Sequence, residues 1–116
     1  MHKRESQKTS NIVRALCQYF LFRGGCETHI VVQPFEDCSL IEISGRVNVN
    51  EQEIQEIEKS FNQAKTSEME YYYDDLLSTD LEDNELNLLG QTIDDHSVTF
   101  ENGLLKIIVK RYYREN

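Results

Sequence analysis

The most informative segment of the sequence runs Val98-Thr99-Phe100-Glu101-Asn102-Gly103-Leu104-Leu105-Lys106-Ile107-Ile108-Val109. It contains Asn102-Gly103, a pair that readily occupies the two positive-φ positions of a type I′ turn, and apolar residues alternate on both sides of it. The segment therefore predicts a β-hairpin with strands over residues 98–101 and 104–112. The alternation assigns the buried face of this hairpin to Val98, Phe100, Leu105, Ile107 and Val109.

A second hairpin is predicted earlier in the chain. Residues 28–33 are rich in β-branched side chains, residues 34–37 have the composition of a turn, and residues 40–49 alternate between apolar and polar. That alternation predicts one buried face, made of Ile41, Ile43, Gly45, Val47 and Val49. Two such hairpins can join into one four-stranded sheet.

Helical patterns fill the remainder of the sequence. A helix is predicted from Ser10 to Gly24-Gly25, with Ile12, Leu16 and Phe20 on one face. Residues 50–53 resemble a capping box, and apolar residues at helical spacing follow at positions 54, 57, 61 and 64. Two more helices are predicted, one after Ser67 and one over residues 82–95. The resulting order, α-β-β-α-α-α-β-β, predicts an α+β two-layer sandwich with the helices on one face of the sheet.

The size of the chain fits one domain over residues 1–116. Residues 1–8 are charged, and we expect them to be disordered. The chain begins without an apolar targeting segment and contains no apolar run long enough to span a bilayer, so we expect a cytoplasmic protein. The odd number of cysteines, Cys17, Cys26 and Cys38, is consistent with reduced thiols.

Charge excludes one class of function. The chain has 12 Lys and Arg against 21 Asp and Glu, a net charge of −9, which is too acidic for a protein that wraps nucleic acid by neutralising phosphates. Residues 67–104 contain no Lys or Arg and eleven acidic residues. This segment is either a solvated surface or an acidic face for a basic protein, and mimicry of nucleic acid is a special case of the second reading.

No arrangement of residues predicts catalysis. Of the three histidines, His2 lies in the charged start, His29 lies in a predicted strand and His96 follows a predicted helix, where histidines are more often structural than catalytic, and no Ser/His/Asp or Cys/His arrangement is recognisable. Cys26 and His29 could be drawn as two metal ligands, but within a strand they would point to opposite faces. There is no Gly-rich phosphate loop. We therefore expect no catalytic residues, no metal and no cofactor.

The tyrosines indicate either partial burial against the edge of the sheet or a contact surface. Three consecutive residues of a helix cover about 200° of its circumference, so the helix predicted after Ser67 cannot bury Tyr71, Tyr72 and Tyr73 together. Exposed tyrosines favour interfaces because they combine apolar area with a polar tip. The sequence predicts binding of a protein partner, or self-association, through Tyr71, Tyr72, Tyr73, Asp74, Asp75, Asp80, Glu82 and Asp83.

Two segments resemble the GHKL ATPase domain of histidine kinases and anti-sigma-factor kinases. Residues 11–16, followed by Gly24-Gly25 and two strands, are similar to the N-box helix and first hairpin of that family, and Leu88-Leu89-Gly90 resembles its GLGL segment. The resemblance implies a nucleotide site that includes Asn11, Gly45 and Gly90. The sequence departs from the family in two ways: Ala15 replaces the second Asn of the NxxxN pattern, and residues 44–48 contain no DxGxG.

These departures imply a degenerate domain that has lost ordinary ATP binding. The leading interpretation is a non-catalytic regulatory or protein-interaction module. The alternatives are a divergent GHKL-type ATP-binding protein kinase or phosphotransfer component, and an acidic mimic of nucleic acid that binds a basic protein. A fold resemblance does not carry function by itself.

Overall fold

A computed structural model of the chain describes residues 3–62 and 89–114. Within them lie two helices, α1 (Lys3–Phe22) and α2 (Glu51–Phe61), and four strands, β1 (Thr28–Pro34), β2 (Cys38–Arg46), β3 (Asp95–Glu101) and β4 (Leu104–Tyr112). The strands form one antiparallel sheet in the order β1-β2-β4-β3. The predicted α+β class is confirmed, and the order of the described elements is α-β-β-α-β-β.

The last hairpin matches its prediction closely. Asn102 and Gly103 have φ angles of 53° and 80°, as a type I′ turn requires. Leu105, Ile107 and Val109 are buried, and Val98 and Phe100 pack against the core while partly exposed. The hydrophobic alternation and the turn residues were sufficient to place this hairpin.

The segment before the last hairpin departs from its prediction. Of the helix predicted over residues 82–95, the part up to residue 88 lies outside the described residues, and in the described remainder only Leu89 and Gly90 have helical geometry. The N–H and hydroxyl of Thr92 both donate to the carbonyl of Leu89, at 2.9 and 2.8 Å, and close a turn. The N–H of Asp94 then donates to the carbonyl of Lys110, which starts the pairing of β3 with β4. The helix prediction is therefore wrong for residues 91–95.

The first hairpin is confirmed with shifted boundaries. The N–H of Phe35 donates to the carbonyl of Cys38 at 2.7 Å, so β1 extends through Pro34 and β2 begins two residues earlier than predicted. Strand β2 ends at Arg46, because the next N–H, that of Val47, donates to the carbonyl of Gly103 in the turn of the other hairpin.

Helix α1 begins seven residues earlier than the predicted start at Ser10. The expectation of disorder over residues 1–8 is wrong for residues 3–8, which are helical. Glu5 and Lys8 are almost completely buried. A charged first turn looks solvated in the sequence, but here Glu5 is held by Arg111 from the far end of the chain.

Helix α2 confirms its predicted cap. The side chain of Asn50 accepts a hydrogen bond from the N–H of Glu53 at 2.9 Å. The carboxylate of Glu53 lies 3.5 Å from Nε of Arg23. Ile57 and Phe61 are buried as predicted, and Ala64 lies outside the described residues.

The core joins both helices to the sheet. Four of the described elements contribute buried residues to it: α1 and β2 provide Ile12, Leu16, Phe20, Ile41 and Ile43, and α2 and β4 provide Ile57, Phe61, Leu105, Ile107 and Val109. Helix α1 contacts β1 and β2, and α2 contacts β3.

Candidate interaction surface

Strand β1 forms one edge of the sheet, and every residue in it after Thr28 is exposed. Ile30 and Val32 pair with Ile43 and Ile41, so they point to the same side of the sheet as the core. Their exposed fractions are nevertheless 36% and 40%, whereas Ile41 and Ile43 are completely buried. The apolar side of the sheet therefore continues beyond the area that the described helices cover.

The other side of β1 is apolar as well. Val31 is 48% exposed on the face away from the core, and Phe35, which directly follows the strand, is 51% exposed. Leu21 and Phe22 are exposed at the end of α1, the helix that contacts β1. We call residues 28–35 the β1 edge.

The opposite edge strand, β3, is covered better. Val98 and Phe100 pack against the core, and the ring of His96 meets the ring of Phe61 from α2 with their centroids 5.3 Å apart. Edge strands of soluble proteins are normally short, charged or covered, because their unpaired backbone groups can pair with another chain. Strand β1 contains no Lys, Arg, Asp or Glu.

The free backbone groups of β1 can be assigned from its hairpin. Because Phe35 bonds to Cys38 across the turn, the odd-numbered residues of β1 direct their N–H and C=O groups toward β2. The outward groups therefore belong to Thr28, Ile30, Val32 and Pro34. A proline in an edge strand is tolerated where its missing N–H would face solvent, and Pro34 occupies such a position. The β1 edge thus offers three N–H donors and four carbonyl acceptors to an additional strand.

Acidic side chains stand at both ends of the β1 edge. Glu27 precedes the strand, and Glu36 and Asp37 form the turn after it; all three are exposed. The carboxylate of Glu27 lies 2.9 Å from Nε2 of His29, whose side chain is also exposed. The electrostatic surroundings of this apolar strand are therefore negative.

A buried polar cluster lies elsewhere, between α1 and the end of β4. The guanidinium of Arg111 is completely buried and donates to both carboxylate oxygens of Glu5, at 2.8 and 3.2 Å. It also donates to the carbonyl of Thr92 at 2.6 Å. The backbone N–H of Arg114 donates to the same carboxylate at 3.3 Å. Burial raises the pKa of Glu5, but the hydrogen bonds and charge of Arg111, with the N–H of Arg114, bring the net pKa below its ordinary value.

A second carboxylate, that of Asp94, binds the residues at and after the end of β4. Its two oxygens accept hydrogen bonds from the guanidinium of Arg114 at 2.8 and 3.0 Å, and one of them also accepts from the N–H of Tyr112 at 2.7 Å. Sequence reasoning missed this cluster, because no local pattern links Glu5 to a partner 106 positions away. The arrangement fixes the start of α1 to the end of the sheet, and we interpret it as structural.

An open cleft of about 480 Å³ lies at the end of α1, lined by Phe22, Arg23, Gly24, Asn48 and Glu53. The cationic group that lines the cleft, the guanidinium of Arg23, already has partners. It lies 3.8 Å from the ring centroid of Tyr19, and its Nε is near the Glu53 carboxylate. Burial raises the pKa of the Tyr19 hydroxyl. Because Glu53 opposes an anionic ligand there, the cleft is a weaker candidate than the β1 edge.

Asn11, Gly45 and Gly90, the three residues that the GHKL resemblance implies for a nucleotide site, each contact a different part of the chain. The amide oxygen of Asn11 accepts from Gln7 at 3.3 Å. A Cβ on Gly45 would lie 2.9 Å from the carbonyl of Glu27, so backbone occupies that space. A Cβ on Gly90 would lie 2.4 Å from the carbonyl of Ser60 at the end of α2. Gly45 is therefore packed closely against the residue before β1, and Gly90 is packed closely against the end of α2.

The predicted partner-binding residues Tyr71, Tyr72, Tyr73, Asp74, Asp75, Asp80, Glu82 and Asp83 lie outside the described residues. Over residues 3–62 and 89–114, no three His, Cys, Asp or Glu side chains come together in a way that could hold a metal ion. Neither described helix is long and apolar enough to cross a membrane.

No protein-family model matches the sequence, and no curated protein sequence matches it significantly.

Proposed function

We propose that this protein is a non-catalytic regulatory or protein-interaction module, and that it binds its partner by adding a strand to the β1 edge. The observation that supports this most directly is the exposure of Ile30, Val31 and Val32 together with the outward backbone groups of the same strand. In strand addition, main-chain hydrogen bonds provide affinity, and alternate side chains provide specificity.

The size of the surface suits a reversible contact. A seven-residue strand is about 23 Å long, so a peptide bound along it buries less area than the roughly 1,200 Å² at the low end of stable interfaces. Exposed apolar side chains on both faces add to the main-chain bonds. Such a contact fits a regulatory role in a cytoplasmic protein, in which the partner binds and leaves.

We also propose that the fold is a two-layer arrangement with the helices on one face of the sheet, and that it includes an additional helix after Ser67. In such a fold β1 is the edge strand farthest from α2, which contacts β3 at the opposite edge. The open apolar strand would therefore be the natural place for a partner.

The second candidate is a divergent GHKL-type nucleotide-binding domain. The order of the elements favours it, because a helix and a hairpin come first and a second hairpin follows α2. The close packing at Gly45 and Gly90 does not. The acidic-mimic alternative uses residues 68–95, of which 68–88 lie outside the described residues; of its described acids, Asp94 is engaged by Arg114.

Hydrogen exchange measured by NMR tests whether the β1 edge is free. In the monomer, the N–H groups of Val31 and Gln33 should exchange slowly because they are directed toward β2, whereas those of Ile30 and Val32 should exchange rapidly. Protection of Ile30 and Val32 in a dilute monomeric sample would mean that the chain already covers this edge, and would contradict the proposal.

Affinity capture then tests the binding function. The Ile30→Pro variant removes an outward N–H while leaving the groups that are directed toward β2. We expect partners retained by the wild type to be lost with Ile30→Pro and kept with Thr99→Lys, a control at an exposed position of the opposite edge strand. Retention of every partner by Ile30→Pro would place the binding surface elsewhere.

A further inference from the structure

The charges around the β1 edge indicate which charge a strand bound there should carry. Glu27 lies at the start of the strand, and Glu36 and Asp37 lie at its end, so an added strand has acidic groups near both of its termini. The only ionisable side chain within β1 is His29, which lies against Glu27. Opposite charges across neighbouring strands are stabilising, and like charges are destabilising.

A second copy of this chain fits these charges poorly. The two-fold pairing that overlaps all seven residues of β1 places Val31 opposite its own copy and Ile30 opposite Val32. The same register places Glu27 of one chain opposite Phe35 of the other, one position from Glu36, so acidic residues of the two chains gather at both ends of the joined strands. Each chain also has a net charge of −9, so repulsion opposes self-association at low salt.

The acidic segment of the same chain is also a poor occupant. Residues 63–88 carry eight acidic side chains and one basic side chain, Lys65. Their net charge has the same sign as that of Glu27, Glu36 and Asp37. The complementary occupant is therefore a separate chain with positive charge near the ends of its extended segment.

The side chains of β1 specify the centre of that segment. Ile30 and Val32 are open on the core side of the sheet, and Val31 is open on the other side. Opposing residues of paired strands lie on the same face, so an added strand needs apolar residues opposite these positions. From this arrangement, and resting on the proposed strand addition, we infer that the partner is an extended peptide segment with an apolar centre of about seven residues and Lys or Arg at both ends.

Three labelled peptides test this inference with the full-length protein. The first is Lys-Lys-Thr-Val-Val-Ile-Val-Val-Thr-Lys-Lys, whose seven central residues can place apolar side chains opposite Ile30, Val31 and Val32. The second replaces its four lysines with glutamates, and the third keeps the lysines but replaces the two residues beside the central isoleucine with prolines, so that it attracts the protein electrostatically but cannot pair as a strand. Fluorescence anisotropy at low and physiological salt measures the affinities.

We expect the first peptide to bind about tenfold more tightly than either of the other two. Its binding should weaken by a similar factor in Ile30→Pro, and the combined Glu27→Gln and Glu36→Gln variant should show weaker binding with less dependence on salt. Ile30→Lys, which places a charge on the same edge, provides a second blocking variant if Ile30→Pro fails to fold.

The remaining outcomes separate the inference from the proposed function. Equal binding of the lysine and glutamate peptides, with both sensitive to Ile30→Pro, would overturn the charge requirement and leave strand addition intact. If none of the peptides binds the wild type more tightly than it binds the Ile30→Pro variant, strand addition itself is contradicted. Dimerisation of the free protein that Ile30→Pro abolishes would identify a second copy as the occupant and overturn the inference.

Discussion

The Glu5 carboxylate and the Arg111 guanidinium are both excluded from solvent, and each satisfies the other. Burying a charge is unfavourable unless it is paired and hydrogen-bonded. Here the carboxylate also accepts from the N–H of Arg114, and the guanidinium also donates to Thr92. The pair therefore makes the packing of α1 on the sheet specific, and loss of one partner leaves the other charge buried and uncompensated.

We expect Glu5→Gln to lower the free energy of unfolding by about 3 to 5 kcal/mol, the range for breaking a buried pair from one side. Glu42→Gln is the matched control, because Glu42 forms an exposed pair with Lys106 at 3.9 Å on the same sheet; it should cost less than about 1 kcal/mol. Urea denaturation measures both values. Similar losses in the two variants would contradict the assigned role of Glu5.

The same residue makes stability depend on pH. The folded-state pKa of Glu5 lies below its ordinary value of 4.5, so its contribution is complete above that value and is lost as the pH falls below it. The wild-type melting temperature should therefore fall more steeply below this value than that of Glu5→Gln. Parallel curves for the two proteins between neutral and acidic pH would show that Glu5 is not responsible.

At the scale of single elements, the cap of α2 shows how local chemistry sets a helix start. Asn50 accepts from the N–H of Glu53, one of the groups that would otherwise lack a partner in the first turn. We expect Asn50→Ala to destabilise the protein by about 1 kcal/mol. Asn50→Asp retains the acceptor and should remain close to the wild type. Thermal unfolding of the two variants measures the difference, and equal stability would exclude the cap as a contributor.

Elements specified by neighbouring residues were predictable from the sequence. The Asn102-Gly103 turn, the alternation around it and the Asn50 cap each depend on contacts within a few positions. The start of α1 was not predictable, because burial of its charged first turn depends on Arg111 in the last strand. The apolar run Ile30–Val32 identified a strand but gave no sign that it would lie at an exposed edge.

For the molecule as a whole, strand order is what determines the candidate site. Hydrophobic alternation defines each hairpin by itself but contains no information on which strands of the two hairpins pair. The pairing of β2 with β4 leaves β1 at one edge and β3 at the other. The β1 edge became recognisable only from that order.

The proposed function predicts no response of the whole protein to nucleotide. A ligand at about 100 times its Kd adds about 2.7 kcal/mol of stability, which raises the melting temperature of a domain of this size by several degrees. We expect no such change with millimolar Mg-ATP or Mg-ADP, because backbone fills the space beside Gly45 and Gly90. A clear increase that Asn11→Ala abolishes would favour the GHKL-type alternative.

The link between Glu5 and Arg111 also has a consequence for synthesis. On the ribosome, Glu5 emerges 106 positions before its partner. At roughly 5 to 20 residues per second, the carboxylate exists without that guanidinium for about 5 to 20 s. Strand β4, which lies between β2 and β3, is made after both of them. The nascent chain therefore completes its sheet and seats its first helix only after β4 emerges, and until then the apolar faces of α1 and β2 lack the strand that they pack against in the folded protein.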